Sequence, residues 1–424
     1  MKITLVCNDV AYPAIHGGRV DMWRRIKAFS QFGIELQVVC WVNQTPEAQD
    51  ILQIKKYVQH LCLIVYQRNV FSAIQQTYQL LKYPLEVTSR IVSVQLKSLV
   101  SEVDSFHPDL IWLDGIQGGA IALELSDKLD VPLIYRSHNI EYLYSERLFI
   151  SATGMSKIKR FFSKMHMEKY ERNILKKSAL FYDISLEDLK FWQSQGFING
   201  RYLPPLVDYS HSNNINVNSI NEKSIEYDIV FCGNLYSNNN VAGIAWFLTD
   251  ILPIVLNKLP ATKVLIAGAN PVEKVKKLCQ RAGVHLKINP TSAVEIYNSG
   301  RIFINPTLTG SGVSIKSIEM LAFNKPIVST LQGIAGLPEV VSKYFNIAED
   351  AESFADAIVC LLSSNSQKIL NSSTLLESMF GIHSIKNILQ EITDFIELKN
   401  YQRADNLCNC SKVPTINVSL KNNI

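Results

Sequence analysis

Short apolar runs, each cut off by polar residues or glycine, recur along this chain. The first is Ile3 to Cys7, ending at Asn8 and Asp9. A run that is apolar throughout, without alternation, predicts a parallel strand buried on both faces. Gly17 and Gly18 follow, and apolar positions at Val20, Trp23, Ile26 and Phe29 then repeat at helical spacing. Gly33 closes that helix, and Ile34 to Val42 is the next strand. Strand, glycine turn, helix and strand make one βαβ unit. Runs at 109–113, 131–135, 182–184 and 201–203 predict further strands, separated by helical text.

A second series starts after Pro204 and Pro205. Residues 208–224 are polar and rich in Asn and Ser, which predicts a linker. Strands are expected at 228–232, 263–267, 284–288, 301–305 and 326–329, with a helix from Val241 to Leu259. The first two of these strands are each followed by glycine, Gly233 and Gly268. The fold class is therefore α/β, with two doubly wound Rossmann-like domains in tandem, facing a central cleft. Residues 1–205 form the first domain and 206–380 the second. A C-terminal helix over 381–400 is expected to pack back on the first domain, and 401–424 to be a loose polar tail. Open sheets of this kind bind ligands beyond the carboxyl ends of their strands. Two of them sharing one cleft suit an enzyme with two substrates.

Composition narrows the class. The chain has 424 residues, 47% of them apolar. That suits two or three domains with sizeable cores and excludes a disordered chain or a disulfide scaffold. The net charge, 42 − 38 = +4, is too small for a nucleic-acid binder. Most of the eight cysteines sit in apolar runs, as small hydrophobes do. Cys408 and Cys410 lack the two-residue spacing of metal knuckles and redox motifs, so a reducing cytoplasm is expected. The apolar run at the N-terminus is too short for a signal peptide, and no stretch reaches about 18 uninterrupted apolar residues.

The segment that carries chemistry is NPTLTGSGVSIKSIEMLAFNKPIVST, Asn305 to Thr330. A strand ends at Asn305, and a loop with Gly310, Ser311 and Gly312 leads into a helix expected near Val313. Small residues allow close approach of a ligand, and the first helical amides are unpaired, which favours an anion. Lys316 adds a full positive charge there. Glu319 lies three residues on, on the same face. A phosphate at Lys316 and a hydroxyl-bearing group at Glu319 match a nucleoside diphosphate. An ordinary strand–loop–helix with a surface Lys/Glu pair fits the spacing as well.

With these residues in view, 228–340 resembles the C-terminal domain of the retaining glycosyltransferases of family 4, also called group 1, which have the GT-B fold. DIVFCGNLYSNNNVAGIAWFLTDILPIV, VLIAGANP and IEMLAFNKPIVST carry the likeness. HGGRVDMWRRIKAFSQFG and RSHNIEYLYSERL are similar to segments of the family's first domain. The resemblance implies a metal-independent transferase with a nucleoside-diphosphate sugar as co-substrate and no other cofactor. Glu319 would hold the donor's ribose. Lys316, the amides of Gly312, Val313 and Ser314, and Gly17, Gly18 and Arg19 from the first domain would hold its diphosphate. His138 would lie beside the donor sugar, and Pro290, Thr291 and Ser292 around the nucleobase. His138, Lys316 and Glu319 are the expected catalytic group. The neighbouring Glu141 reads as a helix-start carboxylate.

The chain also departs from the family pattern. Ser311 stands where a glutamate contacting the transferred sugar is usual. Asn234 and Asn240 replace the diphosphate arginine and lysine, and Ser314 replaces the arginine of a subgroup. These departures motivate a rival: a degenerate transferase acting as a nucleotide- or glycan-binding partner. A sugar-nucleotide epimerase on the same fold is a third reading. No Asp-x-Asp occurs in the chain.

Residues 155–177 hold eight Lys or Arg against two Glu, with apolar residues at roughly helical spacing. A basic amphipathic helix there would suit peripheral contact with the inner face of the membrane and a glycan or lipid-linked acceptor. The solvated face of a core helix fits the same pattern.

Overall fold

The structure is a computed structural model describing residues 1–14, 17–67, 69–207, 225–310, 312–364 and 371–410, with side chains described up to residue 399. Its first half is a parallel sheet of seven strands: β1 Lys2–Cys7, β2 Glu35–Val42, β3 His60–Val65, β4 Leu110–Asp114, β5 Leu133–Ser137, β6 Leu180–Asp183 and β7 Gly200–Tyr202. Their spatial order is β3-β2-β1-β4-β5-β6-β7. The second half has six parallel strands: β8 Tyr227–Cys232, β9 Val264–Gly268, β10 His285–Ile288, β11 Gly300–Asn305, β12 Ile327–Ser329 and β13 Asn346–Ile347, ordered β10-β9-β8-β11-β12-β13. In each sheet the order reverses beside the first strand, between β1 and β4 and between β8 and β11. Such switch points open the crevice in which doubly wound sheets bind ligands.

Each sheet is covered on both faces, and the residues of β4 show why its sequence is apolar without a break. Leu110 and Trp112 belong to one core layer, while Ile111 and Leu113 belong to the other. The C-terminal helix Ile382–Cys410 joins the first of these layers through Ile385, Ile388, Leu389 and Ile392, an i, i+3, i+4, i+7 stripe. Glu391 ties it down, accepting hydrogen bonds from Tyr182 Oη at 3.0 Å and Arg201 Nε at 2.8 Å.

The expected strands are all present, each within two residues at either end. Two strands have no counterpart in the sequence reading. β3 is half-exposed and β13 has two residues, so neither carries the continuous apolar signature of a central strand. The helix expected from 241 to 259 runs over 238–258, long and apolar enough by length and composition to cross a membrane. Here that apolar surface is core: Ile244, Phe247, Ile251 and Val255 pack with Phe354 and Ile358. A π turn at Phe247–Ile251 precedes Pro253, which cannot donate to the helix ladder. Residues 401–410, expected as loose tail, continue the last helix, since no Gly or Pro interrupts them. Residues 411–424 and the linker 208–224 lie outside the described residues.

The basic segment 155–177 is not one amphipathic helix. It divides into Gly154–Lys164 and Met167–Lys177, separated at His166, whose φ is +64°. The second helix is a core helix: Met167, Tyr170, Ile174 and Leu175 are buried. The first buries only Ser163.

Candidate active site

The loop after β11 is built from its anchor upward. β11 ends at Asn305, which is fully buried. Its Nδ2 donates to Ser317 Oγ at 2.7 Å and to the Gly333 carbonyl at 3.1 Å, and its Oδ1 accepts from Thr307 Oγ1 at 2.6 Å. One side chain thus fixes the start of the loop, the following helix and the next turn. That helix, Ile315–Leu321, starts two residues later than expected. Gly312 is left-handed at φ +65°, and Ser314 is extended, so both precede the helix proper.

The loop lies against the first domain. A Cβ on Gly312 would come within 2.4 Å of the His138 carbonyl oxygen and 2.8 Å of Asn139 Oδ1. Arg147 Nη1 donates to the Gly310 carbonyl at 3.1 Å, and the Leu186 amide donates to the Gly336 carbonyl at 3.0 Å. Gly17, the first residue of the helix Gly17–Gln31, faces Ile315 Cδ1. The expected partners from the two halves, Gly17 with the loop and His138 with Gly312, do meet. Gly18 is the second residue of that helix and is exposed, between partly buried Gly17 and Arg19. Ser311 lies outside the described residues.

Lys316 sits on the second domain with its ammonium 2.5 Å from Asn240 Oδ1 and 3.2 Å from Thr307 Oγ1, over the Phe231 ring. Asn240 Nδ2 in turn donates to the Asn234 carbonyl at 2.8 Å. Of the two asparagines that depart from the family pattern, Asn240 therefore contacts Lys316 directly and Asn234 holds Asn240. Loss of water around the ammonium lowers its pKa to about 7. The direction follows from the packing at the ammonium, although the residue as a whole is only half-buried.

Glu319 has a partner that the sequence did not suggest. Arg24, from the helix Gly17–Gln31, reaches across the cleft and places Nη2 2.8 Å from Glu319 Oε1. Its Nη1 donates to the Leu206 carbonyl at 2.9 Å. The pair walls a pocket of about 310 Å³. Trp23 and Lys27 line it from the first domain, and Ala293, Tyr297 and Phe323 from the second. Ser292 caps the helix Ala293–Asn298 that enters this wall, accepting from the Glu295 amide at 3.3 Å. Pro290, Thr291 and Ser292 thus stand just before the residues that line the pocket. A larger depression of about 610 Å³ at the β10 edge, around Tyr227 and His285, is lined by none of the expected site residues.

The His138 ring points into a buried charge cluster. Its Nε2 lies 3.3 Å from Asp114 Oδ1 and 3.8 Å from Asp21 Oδ2. Arg25 bridges Asp21, at 2.9 Å, and Asp114. Arg136 contacts Asp21 at 3.4 Å and donates to the Leu203 carbonyl. Burial alone would raise the Asp21 carboxyl, but Arg25 and Arg136 overcome it and hold its pKa well below the usual range. Burial pulls Arg136 down to about 10. Asp114 ends β4, Arg136 lies in β5, and Asp21 and Arg25 are four apart on the first helix. The cluster therefore locks the carboxyl ends of the central strands to that helix and seats His138 above them. The signal was a charge inside otherwise apolar strands, LIWLD and LIYRS.

Arg19 is held by Asp9 through Nε and Nη2, both at 2.8 Å. Glu141 opens the helix Glu141–Ser151, as a helix-start carboxylate should. The amides of Glu141 and Tyr142 donate to buried Glu171 at 2.8 and 2.9 Å. Burial also pushes Asp183, at the end of β6, up to about 8, with help from Asp188.

Residues 226–364 match the family model described as glycosyl transferases group 1, a span holding Asn234, Asn240, Lys316 and Glu319. Over this span the chain is similar to the group 1 glycosyl transferases. A 44.6 kDa protein in the cps region of Klebsiella pneumoniae is 27% identical over 369 residues, covering 84% of this chain and 90% of that protein. Among solved structures, Anabaena HepE in complex with UDP and glucose superposes with a TM-score of 0.61 at 12% identity, covering 93% and 99% of the two chains. Sucrose-phosphate synthase from Thermosynechococcus elongatus gives 0.63 at 12%, covering 94% and 100%. At that identity the two structures carry the fold, which is GT-B.

Proposed function

We infer that the protein is a glycosyltransferase that moves a sugar from a nucleoside-diphosphate donor to a glycan or lipid-linked acceptor, in polysaccharide or glycolipid biosynthesis. Retention of configuration and independence from metal are part of the proposal. So are an acceptor-binding role for residues 1–205 and a donor-binding role for 206–380. One observation carries the reading: Lys316 and Glu319, one helical turn apart, face a closed interdomain cleft beside an aromatic-walled pocket. The nucleoside would occupy the pocket, with ribose at Glu319 and the diphosphate at Lys316 and the Gly312–Ser314 loop. Lys316 would stabilise the charge that develops on the leaving diphosphate. His138 would position the donor sugar from the opposite wall. Support for the donor class comes from the UDP and glucose bound by HepE, and for the pathway from the cps-region relative. Retention rests on the resemblance of residues 228–340. The proposed place is the cytoplasm, at the inner face of the membrane.

The degenerate-transferase reading draws support from the same site. Lys316 and Glu319 are both held by protein partners, Asn240 and Arg24. A panel of UDP-, GDP-, ADP- and TDP-sugars, offered with EDTA and membrane extract as acceptor source, separates the two. Nucleoside diphosphate release from one donor, with the product's anomeric configuration matching the donor's by NMR, is expected. Nucleotide binding without release would favour the binding partner, and activity lost to EDTA would remove the metal-free mechanism.

A further inference from the structure

The helix Val70–Gln79 is inside out. Val70, Phe71, Ile74 and Tyr78 are 64–79% exposed, and Leu81 just beyond is 73% exposed. The spacing puts them on one face. The opposite face, turned to the protein, carries buried Ser72 and half-buried Gln76 and Gln79. Ser72 closes a capping box with Asn69, so the orientation is fixed at the helix start. A helix that hides glutamines and shows aromatics to water has the reverse of the pattern of a soluble surface helix.

The helix Gly154–Lys164 does the same. Met155, Ile158 and Phe161 are exposed, while Ser163 is its one buried residue. Phe161 lies against Phe149 in a tilted contact, ring centroids 6.2 Å apart, and Lys157 and Lys164 lie over the Phe149 ring at 5.4 and 4.6 Å. The helix Leu85–Val92 packs between the two and contacts both. It is bonded to the second by Ser163 Oγ to Glu86 Oε1 at 2.6 Å. Its Arg90 donates to the Asn8 carbonyl at the carboxyl end of β1. The helix Gly154–Lys164 packs on Glu141–Ser151, whose Arg147 touches the donor loop. This whole face therefore rims the mouth of the cleft. Charge selects its occupant: segments 69–83 and 147–164 contain Lys82, Arg147, Lys157, Lys159, Arg160 and Lys164 and no Asp or Glu, and Glu146, which pairs with Lys164 at 2.7 Å, offsets one of these six charges.

We propose that the helices Val70–Gln79 and Gly154–Lys164 form one docking face for an anionic lipid bilayer, with their apolar sides entering the headgroup region and their lysines and arginines held by lipid phosphates. Docked in this way, the cleft opens toward the membrane surface. The benefit to catalysis rests on the transferase reading with a lipid-linked acceptor, whereas the docking itself does not.

The test is vesicle flotation of the full chain, free of nucleotide. Wild type is expected to float with phosphatidylcholine/phosphatidylglycerol vesicles, and about tenfold less with phosphatidylcholine alone or at high salt. The double variant Phe71→Ser, Ile74→Ser is expected to lose about tenfold or more, as is Lys157→Gln, Lys159→Gln. Ile198→Ser, at an 84% exposed apolar residue on another element, is expected to float like wild type. Equal melting temperatures show that each variant is folded. Wild type that ignores anionic vesicles, or a 71/74 variant that floats equally, overturns the proposal. So does a dimer in solution that the 71/74 variant dissociates while vesicles go unbound, because the face then joins two copies of the chain. Donor turnover, measured in parallel without vesicles, reports on the transferase reading separately.

Discussion

At the scale of single residues, Lys316 makes the sharpest claim. Its ammonium is crowded by Asn240, Thr307 and Phe231, and burial lowers its pKa to about 7. A bound diphosphate favours the charged form, so nucleotide binding takes up a proton above pH 7. UDP affinity is therefore expected to fall between pH 7 and 8.5, by up to about tenfold per unit, and to be flat in Lys316→Ala. UDP has already lost its last phosphate proton there, near pH 6. The depressed pKa also means that the unfolded chain binds more protons than the fold from about pH 7 to 10.5. This group's share of stability thus rises with pH in that window. Titration calorimetry across the range checks the affinity; a pH-independent value in wild type would place the diphosphate elsewhere. Arg24 gives a second prediction. If ribose must take Glu319 from Arg24, then Arg24→Gln removes a competitor worth about 1 kcal/mol and tightens UDP several-fold. Weaker binding would make Arg24 a donor ligand instead. The sequence showed Lys316 and Glu319 because their spacing along one helix is local. Arg24 was invisible because its partner is 295 residues away.

At the scale of elements, the βαβ series was legible because fully buried strands are apolar without a break, as Leu110–Asp114 is. The half-exposed β3 lacks that mark. The segment 155–177 misled for a physical reason: its composition averages a core helix with an exposed one, and only His166 divides them. The inverted helix Val70–Gln79 has an ordinary amphipathic pattern, and no sequence period tells which side faces water. The donor loop is the element whose shape matters most. Gly312→Ala is expected to cost about 1 kcal/mol for the left-handed backbone and to set a methyl group against the His138 carbonyl. The loop would then be held off the first domain. Turnover is expected to fall by an order of magnitude or more while UDP still binds the donor domain. Near-normal turnover would mean that this contact does not belong to the working enzyme.

At the scale of the whole molecule, two sheets meet at their switch points, and the contacts across the gap among the described residues include Arg24–Glu319, Arg147–Gly310, Leu186–Gly336, Gly17 against Ile315 and His138 against Gly312. The buried set Asp21, Asp114, Arg25 and Arg136 makes the first domain's face of that gap rigid. In the proposed transferase, a rigid wall and a loop that closes on it would exclude water and hold the donor, which is what transfer to an acceptor in preference to water requires. The central claim is that this cleft performs glycosyl transfer with Lys316 on the leaving diphosphate. The most direct measurement is the rate of nucleoside diphosphate release from the accepted nucleotide sugar, in EDTA, for wild type and Lys316→Ala. Loss of one such stabilising group typically costs about 3–4 kcal/mol in the barrier, so release is expected to fall by about two to three orders of magnitude. An active wild type with Lys316→Ala close behind it would contradict the account.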